Sequence, residues 1–180
     1  MKLIGTPLAG LFIIQPDVFK DSRGLFFESF SLPKFKDFGI DCDFVQDNQS
    51  NSQKGVLRGL HFQKPPYAQA KLVRVANGSV LDVAVDIRSD SPTFGKWYSC
   101  VLSHENNLML FIPEGFAHGM FTLEDNTIFL YKCSNVYNKS SEGGIIWNDP
   151  DLNINWGIAD PMLSDKDVLF PTLKQSKHYF

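Results

Sequence analysis

The fold class follows from the stretch KLVRVANGSVLDVAVDI, which occupies residues 71–87. Apolar residues stand at every second position from Leu81 to Ile87, as one side of a half-buried β-strand requires. Just before this strand, Asn77-Gly78 is a dipeptide typical of tight turns between antiparallel strands. Residues 71–75 supply a second extended segment on the other side of the turn. The stretch therefore predicts two antiparallel strands joined as a hairpin.

Similar short extended segments recur along most of the chain. They are predicted at residues 10–14, 26–30, 56–62, 97–102, 108–112, 119–122 and 127–133. Turn residues separate them at the regular spacing of an all-β sandwich or barrel. Helix is marginal: one short helix is predicted at Leu32–Phe38, ending before Gly39, and a second at Ser164–Leu169. The last forty residues are predicted to form ordered turns wrapped over the barrel.

The composition favours one globular domain that spans residues 1–180. Hydrophobic residues make up 43% of the chain and charged residues 21%, and no linker, repeat or low-complexity tract interrupts it. The net charge of -3 lacks the basic surplus that binding to a nucleic-acid backbone needs. The apolar runs are only a few residues long, which argues against a membrane span. A small anion could still bind where a few cations converge, because the local field outweighs net charge there.

The first residues and the cysteines both favour a cytoplasmic location. The N-terminus MKLIGTP lacks the apolar segment of a secretion signal. Cys42, Cys100 and Cys133 are odd in number and scattered, without CxxC spacing. That distribution argues against a disulfide framework or a zinc site and favours buried, unreactive thiols.

Two of the four histidines occupy unusual positions. His61 lies in the predicted strand GVLRGLHFQ at residues 55–63, where a period of two places it on one face with Gly59 and Gln63. An imidazole beside a glycine suggests open space for a ligand. His118 lies in a turn that leads into a strand. Taken alone, each histidine is more often a hydrogen-bonded structural residue, so the ligand interpretation depends on the cations nearby.

Two of the four arginines are candidates for binding an anion. Arg23 lies in the loop Asp21-Ser22-Arg23-Gly24, and Arg58 lies on the strand of His61. Arg58 points to the opposite face from His61 unless the strand is bulged or twisted. A solvated charge or a surface ion pair explains either arginine equally well. Arginine is nevertheless favoured where a diphosphate is held by two parallel hydrogen bonds.

The segment PEGFAH at residues 113–118 matches the second half of the cupin signature, P-x-G-x-x-H. The first half of that signature, H-x-H, would supply two histidine ligands to a metal. The corresponding place reads His61-Phe62-Gln63, so the second histidine is missing. The remaining imidazoles are too few for the usual site of three histidines and one carboxylate. The sequence therefore predicts a cupin barrel without its metal.

Several motifs in a fixed order together carry a resemblance to a known family. They are GVLRGLHFQ (55–63), AQAKLVRV (68–75), DVAVDIR (82–88), SPTFG (91–95) and IPEGFAHG (112–119), joined by DSRG (21–24), QDN (46–48), LYK (130–132) and LSDKD (163–167). From Asp17 to Asp167 the chain resembles the dTDP-4-dehydrorhamnose 3,5-epimerases, a metal-free family of cupins. The resemblance implies an all-β cupin jelly-roll barrel with short peripheral helices, a homodimer, and an isomerase that needs no cofactor.

The resemblance also implies a role for each residue of the site. His61 would be the base, Asp167 the carboxylate that orients it, Lys71 the cation near the enolate oxygen, and Tyr131 the acid on the opposite face of the sugar. The substrate-binding residues would be Arg23, Arg58, His118 and Lys166 for the diphosphate and sugar, Glu28, Gln46, Asn48 and Glu142 for the nucleotide or sugar hydroxyls, and Tyr137 or Phe26 for stacking on the base. These roles suit the chemistry, because a ketone at C4 acidifies the hydrogens on C3 and C5 and a base of near-neutral pKa can remove them.

The substrate expected from this resemblance is a nucleotide diphosphate sugar, dTDP-4-dehydro-6-deoxyglucose, epimerised at both C3 and C5. Two alternatives within the enzyme class stay open: a GDP-linked 4-keto hexose or heptose as the substrate, and inversion at C3 or C5 only. A sugar-binding cupin without catalysis, or a structural barrel, belongs to a different class. Loss of His61, Tyr131 or Asp167 would favour that class, and all three residues are present.

Overall fold

The computed structural model describes residues 1–176 and 180. Its strands are β1 (Lys2–Gly5), β2 (Phe12–Gln15), β3 (Phe19–Asp21), β4 (Gly24–Phe26), β5 (Gln46–Ser52), β6 (Leu57–Gln63), β7 (Lys71–Asn77), β8 (Ser79–Asp86), β9 (Trp97–Ser103), β10 (Met109–Ile112), β11 (Phe116–Thr122), β12 (Thr127–Cys133) and β13 (Glu142–Gly144). One α-helix, α1 (Leu32–Asp37), and two 3₁₀ turns, Lys139–Ser141 and Asp167–Leu169, complete the described elements. This content confirms the predicted all-β class with short peripheral helices. No helix among the described residues has the length and apolar character needed to cross a membrane.

The strands form two antiparallel sheets and a separate hairpin. The six-stranded sheet has the order β1-β2-β10-β7-β12-β5, and the five-stranded sheet has the order β13-β6-β11-β8-β9. Strands β3 and β4 pair only with each other. From β5 to β13, consecutive strands alternate between the sheets except at β8 and β9, so crossovers tie the two sheets together as in a Greek-key sandwich.

Three clusters of buried apolar side chains hold the layers together. The first lies between the sheets, where Val73 and Leu110 of one sheet meet Ala84 and Met120 of the other. The second covers the outer face of the five-stranded sheet with the C-terminal segment, whose buried residues include Trp156. The predicted wrapping of this segment over the barrel is thereby confirmed. The third packs α1 against the outer face of the six-stranded sheet.

Eight of the nine predicted strands are present, with ends shifted by a few residues. The strand predicted at 26–30 is wrong: β4 ends at Phe26, and the chain then passes without regular structure into α1. The helix predicted at 164–169 is reduced to the 3₁₀ turn at its end. Strands β1, β3, β5 and β13 were not predicted, and each is short or polar.

The hairpin predicted at Asn77-Gly78 is also wrong, because β7 and β8 lie in different sheets. The dipeptide instead forms a corner that carries the chain from one sheet to the other. Gly78 has a φ of 77°, and a Cβ atom there would lie 2.2 Å from the Thr127 hydroxyl. Glycine is thus required by both the left-handed backbone and the close approach of Thr127.

A fully buried carboxylate, Asp86, organises the loop that follows β8. It accepts hydrogen bonds from the Arg88 guanidinium at 2.7 and 2.8 Å and from the hydroxyls of Ser91 and Thr93 at 2.6 and 2.7 Å. Burial alone would raise the pKa of Asp86, but these hydrogen bonds outweigh it and lower the pKa to about 2.

Asp86→Asn is expected to lower the free energy of unfolding by about 2 kcal/mol at pH 7. The native state holds Asp86 ionised below the pKa of the unfolded chain, so this stabilisation is present above about pH 4 and is lost as the pH falls toward 2. Urea unfolding of both proteins between pH 2.5 and 7 measures the difference. The exposed Asp90 gives the matched control, Asp90→Asn, with little expected effect. A penalty for Asp86→Asn that does not shrink at low pH would contradict this account.

Candidate active site

A cavity of about 440 Å³ lies between the two sheets. Its lining comes from strands of both sheets and from the segments that follow β6, β12 and β13. The lining residues are Gln46, Asn48, Ser50, Arg58, His61, Phe62, Gln63, Gln69, Lys71, His118, Met120, Phe129, Tyr131, Cys133, Tyr137, Glu142 and Lys166. Ten of these were predicted as site residues, so the fold brings most of the predicted site into one space.

Strand β5 gives the cavity a wall of polar side chains. Gln46, Asn48 and Ser50 alternate toward the cavity, while the residues between them are exposed on the other side. The hydroxyl oxygen of Ser50 is the one buried side-chain polar atom without a hydrogen-bond partner among the described residues. An unpaired buried hydroxyl costs free energy unless a ligand or water satisfies it, so this wall suits a polar ligand.

A β-bulge places both Arg58 and His61 in the cavity. His118 of β11 pairs with His61, but Met120, two residues on, pairs with Arg58, three residues back. The extra residue in β6 reverses which face the following side chains occupy. Arg58 and His61 therefore lie on the same face, as the sequence allowed for a bulged strand. The prediction of open space for a ligand beside Gly59 is wrong, because a Cβ atom there would lie 2.5 Å from the Cα atom of Gly119. Gly59 allows close contact between strands.

His61 and Asp167 form a hydrogen-bonded pair at the edge of the cavity. The His61 Nε2 and Asp167 Oδ1 atoms are 2.5 Å apart, and Asp167 is 2% exposed. Burial opposes ionisation of Asp167, but the hydrogen bond and charge of His61 outweigh it, and the pKa of Asp167 is lowered. Burial is also the largest influence on His61 and lowers its pKa, although Asp167 acts in the opposite direction. Near neutral pH the pair is therefore a carboxylate beside a neutral imidazole. If Nε2–H donates to Asp167, Nδ1 carries the lone pair.

Lys71 and Tyr131 face the cavity from the six-stranded sheet. Burial lowers the pKa of Lys71, while Cys133, Asp82 and Glu142 favour its charged form. Among the residues that the structure describes, the Lys71 side chain makes no hydrogen bond or ion pair, so its ammonium group is available to a ligand. Burial raises the pKa of Tyr131, so its phenol stays protonated near neutral pH and can donate a proton.

A second histidine–carboxylate pair lies in the same cavity. His118 Nε2 is 3.0 Å from both carboxylate oxygens of Asp82, which is fully buried. The His118 ring also stacks on Phe129, with the two planes 17° apart. Asp82 was not predicted as a site residue. It sits on the polar side of the predicted strand at 81–87, where a buried carboxylate facing a histidine leaves no pattern in the sequence.

Three predicted binding residues surround the opening of the cavity. Lys166 Nζ forms an ion pair with Glu142 Oε1 at 2.6 Å, and the Tyr137 hydroxyl is 3.4 Å from the other oxygen of that carboxylate. Tyr137 is 53% exposed, so its ring is available to a ligand that enters.

Three other predicted binding residues lie outside this cavity. The Arg23 side chain is 88% exposed and pairs with Asp21 at 2.6 Å. Phe26 is 70% exposed at the end of β4. Glu28 forms an ion pair with Lys34 of α1 at 2.7 Å. The hairpin of β3 and β4 and the residues just after it therefore do not contribute these side chains to the cavity of their own chain.

Seven lining residues were not predicted as site residues, although three of them, Phe62, Gln63 and Gln69, stand in motifs that carry the resemblance. The seven are Ser50, Phe62, Gln63, Gln69, Met120, Phe129 and Cys133. Gln63 was noted only as the residue that replaces a metal-binding histidine. Within the described part of the chain, no three His, Cys, Asp or Glu side chains come together as a metal site would require.

With this geometry in view, comparison with known proteins gives consistent matches. The family model for dTDP-4-dehydrorhamnose 3,5-epimerase matches residues 5–175. An enzyme of that name from Shigella flexneri is 54% identical over 169 residues, which are 93% of each chain. The crystal structure of a dTDP-4-dehydrorhamnose 3,5-epimerase from Elizabethkingia anophelis NUHP1 is 51% identical, with a TM-score of 0.94 over 99% of each chain. A dTDP-6-deoxy-D-glucose-3,5-epimerase from Legionella pneumophila in complex with dTDP-4-keto-L-rhamnose is 46% identical, with a TM-score of 0.94 over 98% of this chain and 94% of that one. The agreement in fold confirms the predicted cupin jelly roll.

Proposed function

This chain belongs to the dTDP-4-dehydrorhamnose 3,5-epimerase family, and from that premise we propose how its cavity inverts C3 and C5 of dTDP-4-dehydro-6-deoxyglucose. It is an isomerase of nucleotide-linked sugars. One observation carries the mechanism: a neutral imidazole with a carboxylate partner reaches the cavity from one sheet, and a protonated phenol reaches it from the other. A sugar bound between the sheets has a base on one face and an acid on the opposite face.

The reaction begins with a proton on the carbon beside the ketone. His61 removes it, the electrons move onto the ketone oxygen as an enolate, and the His61–Asp167 pair becomes imidazolium beside carboxylate. Asp167 stabilises that cation and holds the ring in one orientation. Tyr131 then donates a proton to the opposite face of the same carbon, which inverts the centre. The phenolate left on Tyr131 and the imidazolium return to their starting forms by proton exchange with solvent. No electron leaves the sugar, so the chemistry needs no redox cofactor.

Lys71 is proposed to stabilise the enolate oxygen. Its ammonium group is unpaired within the described residues and lies in a buried site, where a charge acts more strongly than in water. A donor fixed in place before the charge develops contributes about 3 kcal/mol in comparable sites. Cys133 faces Lys71 across the β7–β12 pair. The polar wall of Gln46, Asn48 and Ser50 is proposed to bind substrate beside Lys71.

The diphosphate is proposed to bind where Arg58, His118 and Lys166 face the cavity. The Ser52 hydroxyl accepts hydrogen bonds at 3.3 Å from two nitrogens of the Arg58 guanidinium. This contact fixes the plane of the guanidinium, and a planar donor with two parallel N–H groups suits a phosphate.

We further propose that the chain acts as a homodimer in which the hairpin of β3 and β4 serves the cavity of the second copy. Arg23, Phe26 and Glu28 are expected to bind substrate, yet they lie outside the cavity of their own chain. Three exposed apolar side chains of the hairpin, Phe19, Leu25 and Phe26, support burial against a partner. We also propose that residues 1–180 act as one domain, and that the protein works in the cytoplasm, where its three free cysteines stay reduced.

Arg58→Ala and Arg23→Ala are each expected to raise the KM for the dTDP-linked 4-keto sugar about tenfold to a hundredfold. A charge-assisted hydrogen bond to phosphate contributes about 1.5 to 3 kcal/mol, and a change in KM reports its loss. The matched control is Arg74→Ala, which removes a guanidinium from the outer face of β7. Steady-state kinetics at fixed ionic strength measure all three variants. An unchanged KM in Arg58→Ala and Arg23→Ala would show that both arginines are surface residues.

Mixing an Arg23→Ala protein, which is impaired at limiting substrate, with an inactive His61→Ala protein tests the placement of the hairpin. In a mixed dimer of Arg23→Ala and His61→Ala chains, the Arg23→Ala cavity keeps its own His61 and receives an intact Arg23 from its partner. Subunit exchange should therefore restore up to half of the activity per mixed dimer at limiting substrate. Activity that stays at the sum of the two separate variants would place Arg23 outside the partner's cavity.

A further inference from the structure

Three glutamine side chains hold the loop 135–138, which carries Tyr137. The Gln69 amide nitrogen donates to the Asn135 carbonyl at 2.7 Å. The Gln46 side-chain oxygen accepts from the Tyr137 backbone N–H at 2.8 Å. The Gln63 side-chain oxygen accepts from the Asn138 backbone N–H at 3.0 Å. Each contact has a normal hydrogen-bond length, and together they fix the backbone at three of the four residues of the loop.

These glutamines anchor the loop from both layers of the fold. Gln46 belongs to β5 of the six-stranded sheet, Gln63 belongs to β6 of the five-stranded sheet, and Gln69 lies just before β7. All three line the cavity, and Gln63 is only 5% exposed. A buried amide that makes its hydrogen bonds holds its partners in one arrangement, because its donor and acceptor ends differ and are fixed. The loop is therefore held across the opening of the cavity by contacts from two sheets.

Tyr137 has little else to fix its position. The residue is 53% exposed, and the one hydrogen bond of its side chain within the described structure is the 3.4 Å contact with Glu142. Its ring belongs to none of the three buried clusters. The backbone hydrogen bonds of the loop thus decide where this ring stands before a ligand arrives. An aromatic ring fixed in advance binds a planar base without an ordering cost on association.

We propose that Gln63 and Gln69 are positioning residues for nucleotide recognition, which hold Tyr137 where its ring meets the nucleotide base. This rests on the proposed function and on a further premise, that Tyr137, one of the two aromatic residues expected to stack on the base, does so. Gln63 thereby gains a role at the place where a metal-binding cupin carries its second histidine. Neither glutamine transfers a proton, so their loss should weaken nucleotide binding more than it slows catalysis at saturating substrate.

The test combines Met substitutions with a change at Tyr137. Gln63→Met and Gln69→Met keep the length of the side chain and remove its hydrogen bonds. Each is expected to raise the Kd for dTDP about tenfold and the KM similarly, with kcat within about threefold of wild type. In the Tyr137→Ala background the same substitutions should change the Kd less than twofold, because their effect passes through Tyr137. The control Gln49→Met, on the exposed face of β5, should leave the Kd unchanged.

Inorganic pyrophosphate and a conservative variant exclude a general collapse of the site. Affinity for pyrophosphate, which has no base, should be unchanged in Gln63→Met and Gln69→Met. If Gln63→Met folds poorly, Gln63→Glu provides the test, because it keeps an acceptor for the Asn138 N–H. In the Gln63→Glu background, Tyr137→Ala should weaken dTDP binding as much as it does in wild type. Additive effects with Tyr137→Ala, or equal losses of pyrophosphate and dTDP affinity, would overturn the proposal. Wild-type epimerisation is assayed separately, so failure of the enzymatic function would appear there.

Discussion

His61→Ala protein is expected to take up no deuterium from solvent at either C3 or C5, and to lose at least about a thousandfold in epimerisation rate. In the proposed mechanism His61 removes both protons, since it is the base that pairs with Asp167 in the cavity. NMR of the sugar in deuterated water measures exchange and inversion together. His104→Ala is the matched control, because His104 is exposed and does not line the cavity.

Persistent exchange at one carbon in His61→Ala would contradict the assignment of a single base. The same cavity contains His118, held by the buried carboxylate of Asp82. That pair would then become the base for the carbon that still exchanges, and His118→Ala would be expected to abolish the remaining label. The carbon at which each variant loses exchange therefore shows which of the two histidines removes the proton there.

Tyr131→Phe is expected to separate exchange from inversion. The variant keeps the base and Lys71, so a proton can still leave and return on the His61 side. Deuterium should therefore enter the substrate at a rate within about tenfold of wild type. Inversion should fall by about a hundredfold to ten-thousandfold, because the acid on the opposite face is missing. Tyr98→Phe is the control, since this half-buried tyrosine on β9 does not line the cavity. Inversion of both centres at the wild-type rate would show that Tyr131 is not the acid.

Apolar alternation predicted most of the barrel because most strands bury one face against a hydrophobic cluster. Strand β5 was missed for the opposite reason. Its sequence QDNQSNS has no apolar residue, since its inner face lines the cavity and its outer face is exposed. A strand that lines the site with polar side chains alone is thus one that the hydrophobic pattern cannot detect.

The sequence predicted most of the residues of the site but not how they are arranged in space. The bulge that brings Arg58 and His61 to one face depends on how β6 pairs with β11, which involves residues far apart in the sequence. The pairing of His118 with Asp82 likewise joins positions that no local motif connects. The hairpin was predicted to bind substrate through Arg23, but whether Arg23 lines the cavity of its own chain is a property of the assembled fold. The resemblance to the family predicted the proton-transfer chemistry. The tertiary structure placed His61 and Tyr131 on opposite sides of the cavity.

Opposite-face proton transfer at two carbons is tested most directly by the wild-type enzyme in deuterated water. The protein is incubated with dTDP-4-dehydro-6-deoxyglucose, and NMR and mass spectrometry locate the label in the product. The mechanism predicts a product inverted at both C3 and C5, with one solvent deuterium on each carbon. Inverted carbons that retain their original protium would contradict it, because no proton would then have been exchanged through His61 and Tyr131. Label and inversion at one carbon alone would contradict the 3,5-epimerase assignment and make the protein a single-centre epimerase.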